Sequence, residues 1–170
     1  IVMKNIVVTL LFVLGLSTSY AQDINVEEVL NNKSYTFHAT SAMPLNSPEI
    51  SKVLSKMAGA MGSGNIILNA SEYYVTFSNN KINSQLPYYG RAYSSEMNSN
   101  DRGMKFESTK FSEKIRKNKR GSYQVDYKIE DTNSARNLGL TVQPNGQAML
   151  VVISNTRESI TYNGYIKANN

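Results

Sequence analysis

The sequence predicts a mostly β chain built as one antiparallel sheet, and three observations carry that prediction. Beyond Asn65, apolar and polar residues alternate with period two in short runs almost to the C-terminus. Turn chemistry separates the runs, as at Asn79-Asn80, Asn118–Gly121 and Pro144-Asn145-Gly146. The gaps are too short for the crossover helices that parallel strands require. Eight or nine strands are expected, arranged as a single antiparallel meander. A twisted sheet of that size curls, so the expected closure is a barrel-like or half-barrel (clam) sheet with two short helices; a β-sandwich is the alternative.

The N-terminus reads as an export signal. Met3-Lys4-Asn5 gives a short positive start, and Ile6–Leu16 is an apolar run broken only by Thr9 and Gly15. Ser17–Ala21 then turns small and polar, with Ser19 and Ala21 at the −3 and −1 positions of a cleavage site before Gln22. The run is shorter than the roughly 20 apolar residues of a spanning helix. Residues 1–21 are therefore expected to be a cleaved signal peptide, and 22–170 a single β domain. The chain has no cysteine, which excludes disulfides and a lipid-anchoring cysteine. The expected address is the periplasm or the medium, without a membrane span or lipid anchor.

Asp23–Asn32 suits a short helix, with Asn25 as N-cap and Glu27-Glu28 in the first turn. Ser34–Ala42 reads as a strand with Tyr35, Phe37 and Ala39 on one face and Thr36, His38 and Thr40 on the other. Leu45–Gly64 is amphipathic at helical spacing, through Ile50, Val53, Leu54, Met57 and Met61. Strand material follows at Asn65–Ser78, Lys81–Leu86, Gly103–Lys117, Tyr123–Ile129, Leu138–Val142, Ala148–Ile153 and Ile160–Ile166. Within Tyr123–Ile129, alternation turns Asp126 away from Tyr123 and Val125.

Three strings in order, Leu86-Pro87-Tyr88-Tyr89-Gly90-Arg91-Ala92-Tyr93, Gly103-Met104-Lys105-Phe106-Glu107-Ser108 and Asn163-Gly164-Tyr165-Ile166, give the chain its resemblance to a known family. From about Glu28 to Ala168 it resembles the domain-of-unknown-function family 4251, small exported proteins of Bacteroidota. The resemblance implies a signal peptide followed by a compact antiparallel β domain, and brings no activity or catalytic residues. The helical stretch Asn46–Gly64 is longer than the short connection associated with that family.

Tyr88, Tyr89, Arg91 and Tyr93 are the candidate ligand-binding residues. Three phenols suit stacking on a sugar or aromatic ring, and a guanidinium suits a carboxylate or phosphate. The competing reading packs the tyrosines in the core and pairs Arg91 with Glu107. Lys114, Arg116, Lys117, Lys119 and Arg120, with Lys110, form a basic hairpin and are candidate contacts for an anionic polysaccharide, lipopolysaccharide or membrane surface. The same charges also suit a solvated hairpin that resists edge-to-edge pairing.

The net charge of +5, one lower without Lys4, is too mild for a nucleic-acid binder. A lone histidine, His38, and no cysteine exclude ordinary zinc sites, so no metal and no cofactor are expected. No GxSxG string supports a triad on His38. Asn98–Gly103 offers oxygens without the spaced acids of a calcium loop. Glu72, Glu107 and Asp126 are the mid-strand acids for paired-carboxylate chemistry.

The expectation is thus an exported, non-enzymatic ligand-binding or accessory module taking a small molecule, glycan or peptide in a tyrosine-lined groove roofed by Asn46–Gly64. The alternative is a hydrolase acting on envelope glycans or peptides.

Overall fold

The computed structural model describes residues 24–45, 60–61, 65–93 and 103–169. The signal-peptide reading, most of the amphipathic stretch and the Asn98-to-Arg102 part of the calcium-loop candidate lie outside them. Helix α1 (Val26–Asn31) is capped as expected, Asn25 Oδ1 accepting from the Glu28 amide at 3.3 Å. Strands β1 (Tyr35–Pro44), β2 (Ala60–Met61), β3 (Asn65–Ile67), β4 (Tyr74–Ser78), β5 (Lys81–Pro87) and β6 (Gly103–Ser108) follow. Then come β7 (Phe111–Lys117), β8 (Tyr123–Ile129), β9 (Asn137–Val142), β10 (Gln147–Ile153) and β11 (Ile160–Ala168).

All strands are antiparallel, in the order β6-β5-β4-β1-β11-β10-β9-β8-β7, with β3 on the second half of β1 and β2 on β3. A meander therefore runs on each side of β1, and the sheet is a half-barrel. The strands at the two ends of this order, β6 and β7, are neighbours in sequence, separated only by Thr109 and Lys110. Asp131 holds that corner: its carboxylate accepts from Ser108 Oγ at 2.5 Å and from the amides of Thr109 and Lys110 at 2.8 and 3.0 Å. These donors hold the Asp131 carboxyl down at about 2, the Ser108 hydroxyl contributing most.

Of the expected Leu45–Gly64 helix, Ala60 and Met61 are strand instead and form β2. Asn65–Ser78 divides at a turn, which leaves Glu72 in the turn before β4. β1 runs two residues further than its alternation suggests. A bulge between Ala39 and Ser41 shifts the register, so that Tyr35, Phe37 and Ala39 face inward before it and Ala42 and Pro44 after it. Opposite the bulge, Gly164 is required by close approach: a Cβ there would sit 1.8 Å from the His38 carbonyl oxygen.

The concave face is filled. Tyr35, Phe37, Phe77, Ile82, Leu86, Met104, Leu138, Leu140, Leu150 and Tyr162 are fully buried there, each large apolar side chain contributing about 1.5–3 kcal/mol. Tyr35 stacks on Phe77 (centroids 4.9 Å), Phe77 on Tyr127 (4.7 Å), and Phe111 meets Tyr127 edge-on. Helix α1 buries Val26, Val29 and Leu30 against this core. It is fastened to β7 at both ends: Lys117 reaches Glu27 at 2.8 Å, and Lys33 reaches Glu113 at 2.6 Å.

Candidate functional site

The tyrosine segment splits. Tyr88 and Tyr89 are half-buried and pack on the core, whereas Arg91 is exposed and Tyr93 is 68 % exposed. Residues 91–93 lie antiparallel to 156–158, with Glu158 N donating to Arg91 O and Tyr93 N to Thr156 O. The Tyr88 hydroxyl is directed at the carbonyls of Arg91 (2.7 Å) and Glu158 (3.1 Å). Burial, with Glu158 nearby, pushes this phenol up to about 12. Burial also raises Tyr89. Glu107, the suggested partner of Arg91, pairs with Lys81 at 2.7 Å.

Beneath this segment lies a residue that the sequence reading missed. Arg157 is only 3 % exposed; it donates to Gly103 O at 2.6 Å and stands over the Tyr88 ring at 5.1 Å. Tyr162 donates to Pro87 O at 2.5 Å beside it. This knot closes one end of the half-barrel.

The basic hairpin forms, β7 pairing with β8 from Phe111↔Ile129 to Lys117↔Tyr123. Its charges are partly compensated. Arg116 pairs with Asp126, and Lys117 with Glu27. The bond from Glu27 is the main cause that raises Lys117, and the bond from Lys117 the main cause that lowers Glu27. Lys119 and Arg120 are exposed in the turn, and Lys114 is exposed on the outer face of β7.

The convex face of β7–β10 carries a trough of about 640 Å³. Its floor is the outward face of β9: Asn137, Gly139 and Thr141. One wall is β8, with Gln124, Asp126 and Lys128; the other is β10, with Met149, Val151 and Ile153. Pairing aligns these residues in rows. Lys114, Asp126, Gly139 and Val151 share one row, Ser112, Lys128, Asn137 and Ile153 the next. The walls stand two strand spacings apart, roughly 10 Å, and extend over roughly 13 Å.

Gly139 makes the hollow. A Cβ there would meet only side-chain ends, Gln124 Nε2 at 3.8 Å and Asp126 Oδ1 at 3.9 Å, which is ordinary contact. Packing and backbone therefore do not require glycine at this position. A glycine inside a strand leaves room for another molecule to come close to the sheet.

The acids do not converge. Glu72 is in a turn bonded to Asn69, Glu107 is on β6, and Asp126 on β8 is held by Arg116 and Gln124. Glu113, missed in the sequence reading, faces inward at 10 % exposure and accepts from Tyr127 Oη at 3.0 Å. The Tyr127 hydroxyl in turn meets that of Tyr35 at 2.6 Å. A small cavity of about 170 Å³ lies beside Lys33, Phe77, Glu113 and Tyr127. His38 lies on the outer face, its Nδ1 at 2.9 Å from Ala70 O and its ring stacked on Tyr165. Among the described residues no group of three or more His, Cys, Asp or Glu gathers as a metal site, and no helix is long and apolar enough to cross a membrane.

No curated protein matches the chain. Its structure is similar to the crystal structure of a DUF4251 family protein from Bacteroides eggerthii DSM 20697, with a TM-score of 0.54 at 13 % identity over 85 % of each chain. That likeness bears on the fold alone. The family model described as "Domain of unknown function (DUF4251)" matches residues 18–166, which contain both the trough and the Arg157 knot, and the chain belongs to the DUF4251 family.

Proposed function

We propose that the protein is an exported, non-enzymatic ligand-binding or accessory module, periplasmic or secreted, and that its ligand lies in the trough over Gly139. The observation that carries this reading is a strand glycine that neither backbone nor packing requires, placed between an apolar and a polar wall. The trough volume falls within the roughly 300–1,000 Å³ of ligand sites. Export is supported by the order of charge, apolar run and small residues over Met3–Ala21. The separation of Glu72, Glu107 and Asp126 supports binding over hydrolysis.

A thermal-shift screen of the protein against glycans, peptides and single-chain lipids, paired with Gly139→Val, tests the reading. A ligand at a hundredfold excess over its Kd adds about 2.7 kcal/mol of stability. That gain is expected in the wild type and lost in G139V, a variant whose own stability is unchanged or higher. Stabilisation that persists in G139V refutes the trough, and turnover of a glycan or peptide refutes the non-enzymatic assignment.

A further inference from the structure

We infer that the ligand of the trough is a single-chain anionic amphiphile, an unbranched acyl chain ending in a carboxylate. This rests on the trough being the binding site. The walls differ in chemistry. Met149 and Ile153 are 39 % and 44 % exposed, with Val151 between them, so β10 offers an apolar stripe with no protein cover among the described residues. The opposite wall has its acid already satisfied, because Asp126 is held by Arg116 and Gln124. Lys114 has no ion-pair partner among the described residues, and Lys128 has only an exposed pair with Glu130 at 3.3 Å. Such a pair is weak and readily exchanged. The uncompensated charge at the trough is therefore one positive charge, which matches one carboxylate.

Other occupants fit less well. A bound peptide strand needs unpaired backbone groups, but β8, β9 and β10 are each paired on both sides. An amphipathic helix is about 10–12 Å wide with its side chains, too wide to enter between walls whose backbones are roughly 10 Å apart. A sugar is gripped best by an aromatic face, and no ring projects from these walls; Tyr127 belongs to the inner face. An acyl chain needs only a narrow apolar wall. Lys114 on β7 lies in the Gly139 row and Lys128 on β8 in the Asn137 row, diagonal to each other, which places the carboxylate between them on the β7–β8 side of the trough and the chain across Gly139 against Val151 and Met149.

The test is calorimetric titration of the protein with dodecanoate, dodecyltrimethylammonium and dodecyl maltoside below their micelle concentrations, in wild type, Lys114→Glu and Gly139→Leu. Dodecanoate is expected to bind one to one, more weakly as salt is raised, about tenfold or more weakly to K114E, and not to G139L. Lys114 is exposed, so K114E keeps the fold, and because its glutamate faces Asp126 across the strands its unfolding midpoint is measured beside the titrations. Equal binding of the cationic amphiphile, or unchanged binding of dodecanoate to K114E, overturns the carboxylate assignment. If dodecanoate fails while a glycan or peptide binds wild type and not G139L, the acyl assignment falls and the trough stands. Dodecanoate binding undiminished in G139L overturns the trough itself.

Discussion

Tyr127→Phe is expected to cost far more than Tyr35→Phe, although both remove one hydroxyl from the same bond. Each phenol has one proton. Tyr127 gives its proton to Glu113 Oε1 at 3.0 Å, so the 2.6 Å contact with Tyr35 is donated by Tyr35. Removing the Tyr35 hydroxyl loses one neutral bond and leaves Tyr127 donating, a cost of about 1 kcal/mol. Removing the Tyr127 hydroxyl strips Glu113 of a donor and orphans the Tyr35 proton, whose side chain is fully buried. The lost charged bond and the orphaned donor together cost about 3 kcal/mol. For a domain of this size that lowers Tm by about 8–10 °C. In the double variant no donor is orphaned, so adding Y35F to Y127F costs nothing further or restores stability, a coupling of about 1–2 kcal/mol. Urea and thermal unfolding of the four proteins measure the cycle. Equal costs for the single variants, or strict additivity, would refute the donor order and with it the chain from Lys33 through Glu113 to Tyr35.

The Asp131 corner predicts an acid limb. Its folded pKa, about 2, lies below the ordinary 3.8, so its stabilisation is present above pH 4 and lost as pH falls towards 2; in Asp131→Asn the slope of stability over that window should flatten, as read by unfolding at stepped pH. Tyr88 predicts the opposite limb. Its phenol is raised from 10 to about 12, so the associated stability is present below pH 10 and declines as pH rises through 12, and Tyr88→Phe should decline less steeply over that range; identical alkaline slopes would count against its burial. Arg157→Ala should cost about 2–4 kcal/mol, since it empties a buried site and leaves Gly103 O without its donor, and hydrogen exchange should quicken first in β6; a cost below about 0.5 kcal/mol would show the knot to be incidental.

Local periodicity made much of the sheet readable. Tyr123–Ile129 alternates without interruption, and β8 has those bounds. The β1 bulge defeated the same rule, because one extra residue reverses which parity faces inward. Glu113 had a signal: with Phe111 and Ile115 it shares the inward face of β7, a carboxylate on an apolar side. Reading that stretch as a run of basic charge concealed it, and its partners Lys33 and Tyr127 come from distant parts of the chain. Gly139 also had one, a glycine within alternation between Leu138 and Leu140. Arg157 had none. It sits in a connection, and its burial depends on β6 and the 88–93 segment folding over it.

The closure of the half-barrel also explains why a site should be sought on its outside. Bending β6 directly into β7 at Ser108–Phe111 brings the two ends of the strand order together, and Asp131 fixes the bend. Tyr35, Phe77, Phe111 and Tyr127 then fill the seam, α1 covers the inner side of β7, and the Arg157 knot closes the end where β5 and β6 meet. A ligand could enter that interior only by displacing side chains that hold the fold. The convex face has no such constraint. There the sheet presents Met149, Val151 and Ile153 to solvent opposite Lys114 and Lys128, across a strand whose central residue has no side chain. An exposed apolar stripe facing a cation without an ion-pair partner among the described residues is the surface on which the proposed binding rests.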